Sequence, residues 1–596
     1  MMPRVGQRVP IGALGADETV NLIVGINCHA HDSAVALIAD GRLVFAAAEE
    51  RFSRIRKDRA FPRMALARGL AHVGASAEDV DAVAFGWNAP GRGPIHMVRK
   101  GLTGGLHPDH VLTQPYHVAR ELRDRNGIAP LLAAFPGMSG ARKIHVDHHA
   151  AHAWSAVALC GWEEATVIVA DGYGAWQATS VYHARGDDLE ALRVFPFPNS
   201  LGLFYESFTD LLGFERNSDE WKVMGLAAYG QPTVDLRRYG VVTTDGYRVN
   251  GRLLSGLRRR QLHYLTQEMG ARRDPEAELT DRERDIAASV QMFTEEALMA
   301  VVRDAVRRTG CRRLCLAGGV AMNSKANGRL LASGIVDEVF VQPAATDDGT
   351  AVGAGFAALL PLGHSIGRAQ LTDVYLGPEL TDEEIVHTLD TCKVPYTVSE
   401  GAPEIAARLI ADGNIVAWVQ GRMEFGPRAL GNRSILGDPR HASTRDRINE
   451  SVKYREPWRP FAPSCLSETM GEYFTPAATS PFMILCFDVL SDRRPVIPAV
   501  VHADNTSRVQ TVDRNQNPPY RRLIEEFARL TGVPVVVNTS FNLRGEPIVC
   551  TPRDALRTFW SSGMDYLVMG SCMVAKSPEG MEQIRRLAAG EPAAVT

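Results

Sequence analysis

The chain has 596 residues, 45% of them hydrophobic and 22% charged, with a formal net charge of −4. That length is too great for one core and predicts at least two domains, while the near-neutral balance leaves no basic surplus for a long nucleic acid and points to small-molecule partners. The nine cysteines include no C-x-x-C pair, which argues against a zinc-thiolate module and for a reducing cytoplasm. Residues 1–20 lack a signal-peptide core and read as a leader. The longest apolar stretch, around 351–360, falls far short of the ~20 residues a membrane span needs, so neither export nor membrane insertion is expected.

Residues 21–50 read as strand, turn, strand, turn, strand, with Asp40-Gly41 as a two-residue hairpin signal and Asp32 following the first strand. Residues 141–146 read as a short strand, and Asp147 can cap the helix after it, on which His148 and His152 stand one turn apart on one face. That is metal-ligand spacing; the alternative is a pair of histidines satisfied by backbone carbonyls in a buried helix. Residues 165–194 repeat the three-strand pattern, with Asp171 after the first strand. Such a duplicated sheet, each half continued by helices, resembles the actin-like ATPase superfamily.

Two later segments, 313–331 and 339–359, read as strand, turn, helix. Gly318 and Gly319 leave room for a phosphate at a helix start, Asn323 and Asn327 offer amides to a polar ligand, and Asp347 and Asp348 stand at the mouth of the next helix, where capping is the alternative role. His148, His152, Asp171 and Asp347 together form a mixed imidazole and carboxylate set, suited to Fe, Mn or Zn rather than to calcium.

After a looser stretch from 378 to 403 the character changes. Arg422, Arg428, Arg433, Lys453, Arg455, Arg459 and Arg508 gather beside glycine, proline and aromatic residues, more cations than a neutral ligand needs. A phosphate-rich substrate is expected. Residues 532–549 then read as a buried strand running into a polar turn, where Asn538, Ser540 and Asn542 can bind a phosphate or a nucleotide edge.

The motifs together, from about Asn21 to about Lys576, resemble the O-carbamoyltransferases that decorate antibiotics and nodulation signals. They are His31-Asp32-Ser33, EERFSR with Phe61-Pro62, HHAAHA, Asp171-Gly172, KVMGLAAYG, GGVAMN, DDGTAVGA, GPRALGNRSIL and NTSFNLRGEPIV. The resemblance implies an actin-like, TsaD-like α/β domain over 21–380, for carbamoyl transfer, and a YrdC-like α/β domain over 400–596 that forms carbamoyladenylate from carbamoyl phosphate and ATP with Mg2+. It places an Fe2+-type ion on His148, His152, Asp171 and Asp347. Phosphate contacts fall to Arg428, Lys453, Arg459, Arg508, Asn538 and Ser540, and nucleotide contacts to Lys222, Gly318, Gly319 and Asn323. His31, oriented by Asp32, would take the proton of a hydroxyl on a natural-product acceptor. Arg56 stands where relatives carry lysine, which keeps the charge but removes any acid-base role. The rival reading is an actin-fold small-molecule kinase, which gives no reason for the basic second domain.

Overall fold

The computed structural model describes residues 22–28, 32–88, 95, 127–254 and 258–590. His31, the leader, residues 89–94 and residues 96–126 lie outside them. The described chain forms two compact units: one runs to Ser53 and from Lys57 to Leu371, and the other takes Arg54–Arg56 and the chain from Thr372 onward.

The first unit contains two five-stranded sheets of the same topology. In the first, β1 (Leu22–Asn27), β2 (Ala34–Ala39) and β3 (Arg42–Ala48) form an antiparallel meander, and β4 (Ala82–Phe85) and β5 (Arg142–His145) continue parallel to β1, in the order β3-β2-β1-β4-β5. Asp40 (φ 49°) and Gly41 (φ 72°) close the β2–β3 turn in the left-handed conformation that such a hairpin demands. The second sheet repeats the plan with β6 (Glu164–Gly174), β7 (Gln177–Arg185) and β8 (Asp188–Pro196) as the meander and β9 (Arg313–Ala317) and β10 (Glu338–Val341) parallel to β6. This is the duplicated actin-like arrangement.

Both faces of β1 are buried. Leu22, Val24 and Ile26 pack with Val35, Leu37, Phe45, Leu66 and Leu70 in one core, while helix α2 (Asp348–Ala357) lies against the strand as well. Helix α1 (His148–Val157) follows β5 as α2 follows β10, and the two helices pack on each other. Their approach depends on Gly353: a Cβ there would fall 1.6 Å from the carbonyl oxygen of Ala151.

The second unit is built on an eight-stranded mixed sheet. Val416–Val419 pairs antiparallel with Arg433–Gly437, which pairs with Val535–Ser540, which in turn pairs with Ala462–Leu466. The stretch expected to be loose contains a helix, Asp382–Thr391, started by a Thr381–Glu384 capping box and anchored by buried Ile385 and Leu389. With only two apolar anchors among acidic residues, its periodicity is faint in the sequence.

Candidate functional site

The histidine helix opens where β5 ends. Asp147 caps it, accepting from the Ala150 N–H at 3.0 Å, and Asn88 in turn donates to the other Asp147 oxygen at 2.8 Å. The cap fixes the first turn, so His148 and His152 both face inward with no solvent exposure. Asp171 reaches the same point from the end of β6, and Asp347 from the start of α2. The alternative role for Asp347, capping its helix, is not the one it takes: its side chain makes no cap hydrogen bond.

His148 Nε2 lies 3.5 Å from Asp171 Oδ2 and 3.6 Å from Asp347 Oδ1, and His152 Nε2 lies 3.9 and 3.7 Å from the same atoms. One donor atom from each of the four residues falls within 4.8 Å of every other. At ~2.0–2.2 Å per bond, tetrahedral neighbours around one ion stand roughly 3.3–3.6 Å apart, so the set is close to ligand spacing. Among the described residues neither Nε2 has a hydrogen-bond partner. Two buried imidazole nitrogens without partners, aimed at two carboxylates, fit a divalent metal and poorly fit a satisfied structural pair.

The supporting contacts fix the tautomer of His148. Its Nδ1 sits 2.9 Å from the Gly86 carbonyl, which can only accept, so the proton belongs on Nδ1 and the lone pair of Nε2 faces the carboxylates. Trp87 stacks on the ring at 4.0 Å between centroids and donates its indole N–H to Asn27 Oδ1 at 2.8 Å, and Asn27 donates to the Asp32 carbonyl at 2.7 Å. Thus the turn bearing Asp32, itself left-handed at φ 61°, is tied to the histidine by one chain of contacts. Burial lowers the affinity of His148 for a proton, but the carboxylates of Asp171 and Asp347 more than reverse this and raise its pKa; burial opposes charge on Asp171 too, and the imidazoles overcome it, holding that carboxyl well below its usual range.

The proposed nucleotide contacts behave differently. Gly318 adopts φ 89° against the Ala170 carbonyl, and the Gly319 N–H donates to Asp171 Oδ1 at 3.1 Å. The glycine pair therefore orients the Asp171 carboxylate of this donor set, and that N–H is not left for a phosphate. Asn323 caps the helix Ser324–Ala332 through the Ala326 N–H and exchanges both amide atoms with Gln291; its side chain is committed within the fold. The Lys222 ammonium pairs with Asp219 at 2.9 Å.

In the second unit, the structure gathers cations around one locus. Burial and the neighbouring Arg508 push the Arg428 guanidinium well down; burial with Arg459 and Arg508 does the same to Arg455, and burial with Arg455 and Arg459 to Lys453. Arg428 and Arg508 pair with no carboxylate among the described residues, and Arg455 lies 4.4 Å over the Phe461 ring. Such mutually repelling cations ask for an anion. Arg455, seen in the sequence only as one of the gathered cations, belongs to this locus. Three expected members stand elsewhere in the scheme. Lys453 donates to the Ser540 and Asn542 carbonyls and to Asn542 Oδ1, so it braces the turn at 540–542, and the Ser540 hydroxyl donates to Asn542 Oδ1 at 2.7 Å. Asn538, 1% exposed, donates to Ala429 O, Ser464 Oγ and Gln510 Oε1 from within the sheet. Arg433 is fully buried and held by the carbonyls of Gln420, Gly421 and Asn432.

Trp87, Asn27 and Gly86 were not foreseen; the only sequence signal was a Gly-Trp-Asn run at the end of a strand. Among the described residues no helix is long and apolar enough to cross a membrane.

Family models described as carbamoyltransferase N-terminus and carbamoyltransferase C-terminus match residues 22–90 with 140–356 and residues 407–576. An uncharacterized protein of Synechocystis sp. is 38% identical, covering 94% of this chain and 97% of its own. Nodulation protein NolNO of Sinorhizobium fredii is 37% identical over 95% of this chain and 82% of its own. Among solved structures, HypF of T. kodakarensis aligns with a TM-score of 0.33 at 15% identity, over 57% of this chain and 48% of that one, too remote to add to the topology above.

Proposed function

We propose that this chain, which belongs to the carbamoyltransferase family, transfers its carbamoyl group in two chemically separate steps, one in each unit. In the second unit, carbamoyl phosphate loses phosphate to water, leaving carbamate. A carbamate oxygen then attacks the α-phosphorus of ATP, accompanied by Mg2+, and pyrophosphate leaves. The product is carbamoyladenylate. In the first unit a hydroxyl of a natural-product acceptor attacks the carbamoyl carbon, AMP departs, and the carbamate ester remains.

The observation that carries this reading is the separation of two opposite environments. Arg428, Arg455, Arg459 and Arg508 form a cationic locus in one unit, and two imidazoles with two carboxylates form a metal-type donor set in the other. A kinase needs neither in this form. The arginines bind and orient the anionic reactants and neutralise charge as phosphate and pyrophosphate leave, while Lys453 keeps the 540–542 turn in place beside them. His148, His152, Asp171 and Asp347 would hold a divalent ion of the Fe2+ type, which when bound supplies Lewis-acid polarisation of the carbamoyl oxygen. Asp171 is kept in register by Gly319, and His148 by Gly86 and Trp87. On the motif, His31 is assigned the acceptor's proton and Asp32 the orientation of His31.

The test is pyrophosphate release by the purified protein with ATP, with and without carbamoyl phosphate and with no acceptor present. Release that requires carbamoyl phosphate supports the adenylating step. ATP turnover indifferent to carbamoyl phosphate returns the chain to the kinase reading.

A further inference from the structure

The loop that carries Arg428 is held with unusual completeness. A single carboxylate oxygen, Glu424 Oε1, accepts the N–H groups of Leu430 at 2.8 Å, Asn432 at 2.8 Å and Arg433 at 3.1 Å. From the other side, the Ala429 carbonyl receives Asn538 at 3.1 Å, that of Leu430 receives Tyr375 at 2.8 Å and Gln510 at 2.9 Å, and that of Gly431 receives Trp418 at 2.8 Å. The backbone from Ala429 to Asn432 is thus fixed residue by residue by side chains, most of them buried, just ahead of the strand that begins at Arg433.

Glu424 is 4% exposed. Its charge opposes the desolvation that pushes the buried Arg433 guanidinium down. A carboxylate buried among backbone N–H groups is costly to place unless geometry repays it. What it fixes here is the base of a guanidinium that pairs with no carboxylate among the described residues.

We propose that Glu424 is a positioning residue: it clamps the loop after Arg428 so that this guanidinium is presented, already ordered, to the anionic reactant. The proposal rests on the cationic locus being the carbamoyl phosphate and ATP site. Without the clamp, Arg428 must be ordered by the ligand itself, which weakens binding before it alters the chemical step.

The experiment compares wild type, Glu424→Gln and Glu424→Ala in the full chain. Three readouts are taken: amide hydrogen exchange of the peptide spanning 425–433, calorimetric affinity for inorganic pyrophosphate and for carbamoyl phosphate, and the KM for carbamoyl phosphate against kcat in pyrophosphate release. Glutamine keeps an oxygen at the three N–H groups, so it should retain exchange protection and stay within a few-fold of wild type. Alanine should lose protection in this peptide and weaken anion binding by at least about tenfold, as a mispositioned contact group does, mainly through KM. Hydrogen exchange in the remaining peptides checks that the rest of the alanine variant is folded; should alanine unfold the chain, the glutamine variant decides, and a glutamine variant that loses anion affinity while its 425–433 amides stay protected overturns the proposal. Unchanged affinity in a folded alanine variant does so too. If wild type binds neither anion, the reading of the locus fails and takes this proposal with it, whereas binding by wild type and alanine alike removes the proposal alone.

Discussion

Replacing Gly353 by alanine should loosen the metal-type centre from a position that touches none of its donors. The added Cβ would lie 1.6 Å from the Ala151 carbonyl oxygen and 2.7 Å from the Ser155 amide nitrogen, both backbone atoms of α1 that no rotamer change can move aside. Regaining ordinary contact requires α1 and α2 to part by roughly 1.5 Å. Carried along α2 to its start, that motion takes Asp347 Oδ1 from its present 3.6 and 3.7 Å from the two imidazole nitrogens to roughly 5 Å, beyond a shared ion whose bonds are ~2.0–2.2 Å. Overpacking against backbone belongs at the upper end of the usual ~1–3 kcal/mol, which in a unit of this size is a fall of roughly 5 °C in the thermal midpoint. The assay is paired: the first unfolding transition by calorimetry, and metal content after reconstitution and gel filtration. A Gly353→Ala protein that melts with wild type and retains one equivalent of metal would refute the reasoning, since the helices would have to accept a methyl group where no space exists.

His148→Ala should abolish carbamoyl transfer and lower metal content while carbamoyl-phosphate-dependent pyrophosphate release continues; loss of both activities would count against two separate sites. Arg459→Ala should do the reverse, suppressing pyrophosphate release by at least about tenfold with metal content unchanged, and normal release would remove this arginine from the anion locus. Glu220 supplies a pH test. Burial, reinforced by Glu206, raises its carboxyl from 4.5 to about 7, so the fold favours the protonated form. The associated stability is complete below pH 4.5 and is lost as pH rises through 7, by at most about 3 kcal/mol. Glu220→Gln should therefore gain stability over wild type progressively between pH 5 and 7.5 in urea titrations, and a constant difference across that range would contradict the raised pKa.

The parts of the fold written in local pattern were legible. The two meanders show as alternating strands and polar turns, Asp40-Gly41 announces its hairpin, and His148 and His152 announce a shared helix face. What local pattern could not separate was the use of a polar residue at a helix start. Asp147, Asn323 and Asp347 all stand there; the first two cap, while Asp347 leaves its helix uncapped and turns to the histidines. The difference is set by what lies across from each side chain, and those neighbours come from segments far away in sequence. The same holds for Gly319, whose N–H meets Asp171 across 148 residues of chain, and for Glu424, whose three acceptor contacts depend on how a loop folds back. An anion-seeking arginine and a structural one also look alike in sequence: Arg428 and Arg433 share a motif, yet one faces another cation and the other is ringed by carbonyls.

The duplicated sheets give the donor set an unequal parentage. His148 and His152 come from the helix that completes the first repeat, and Asp171 and Asp347 from the opening strand and closing helix of the second, so the four divide two and two at residues 158–163. Neither repeat owns a complete site. An ion held there would act as a rivet between the repeats, joining the end of one to both ends of the other and making them open and close as a single cooperative body.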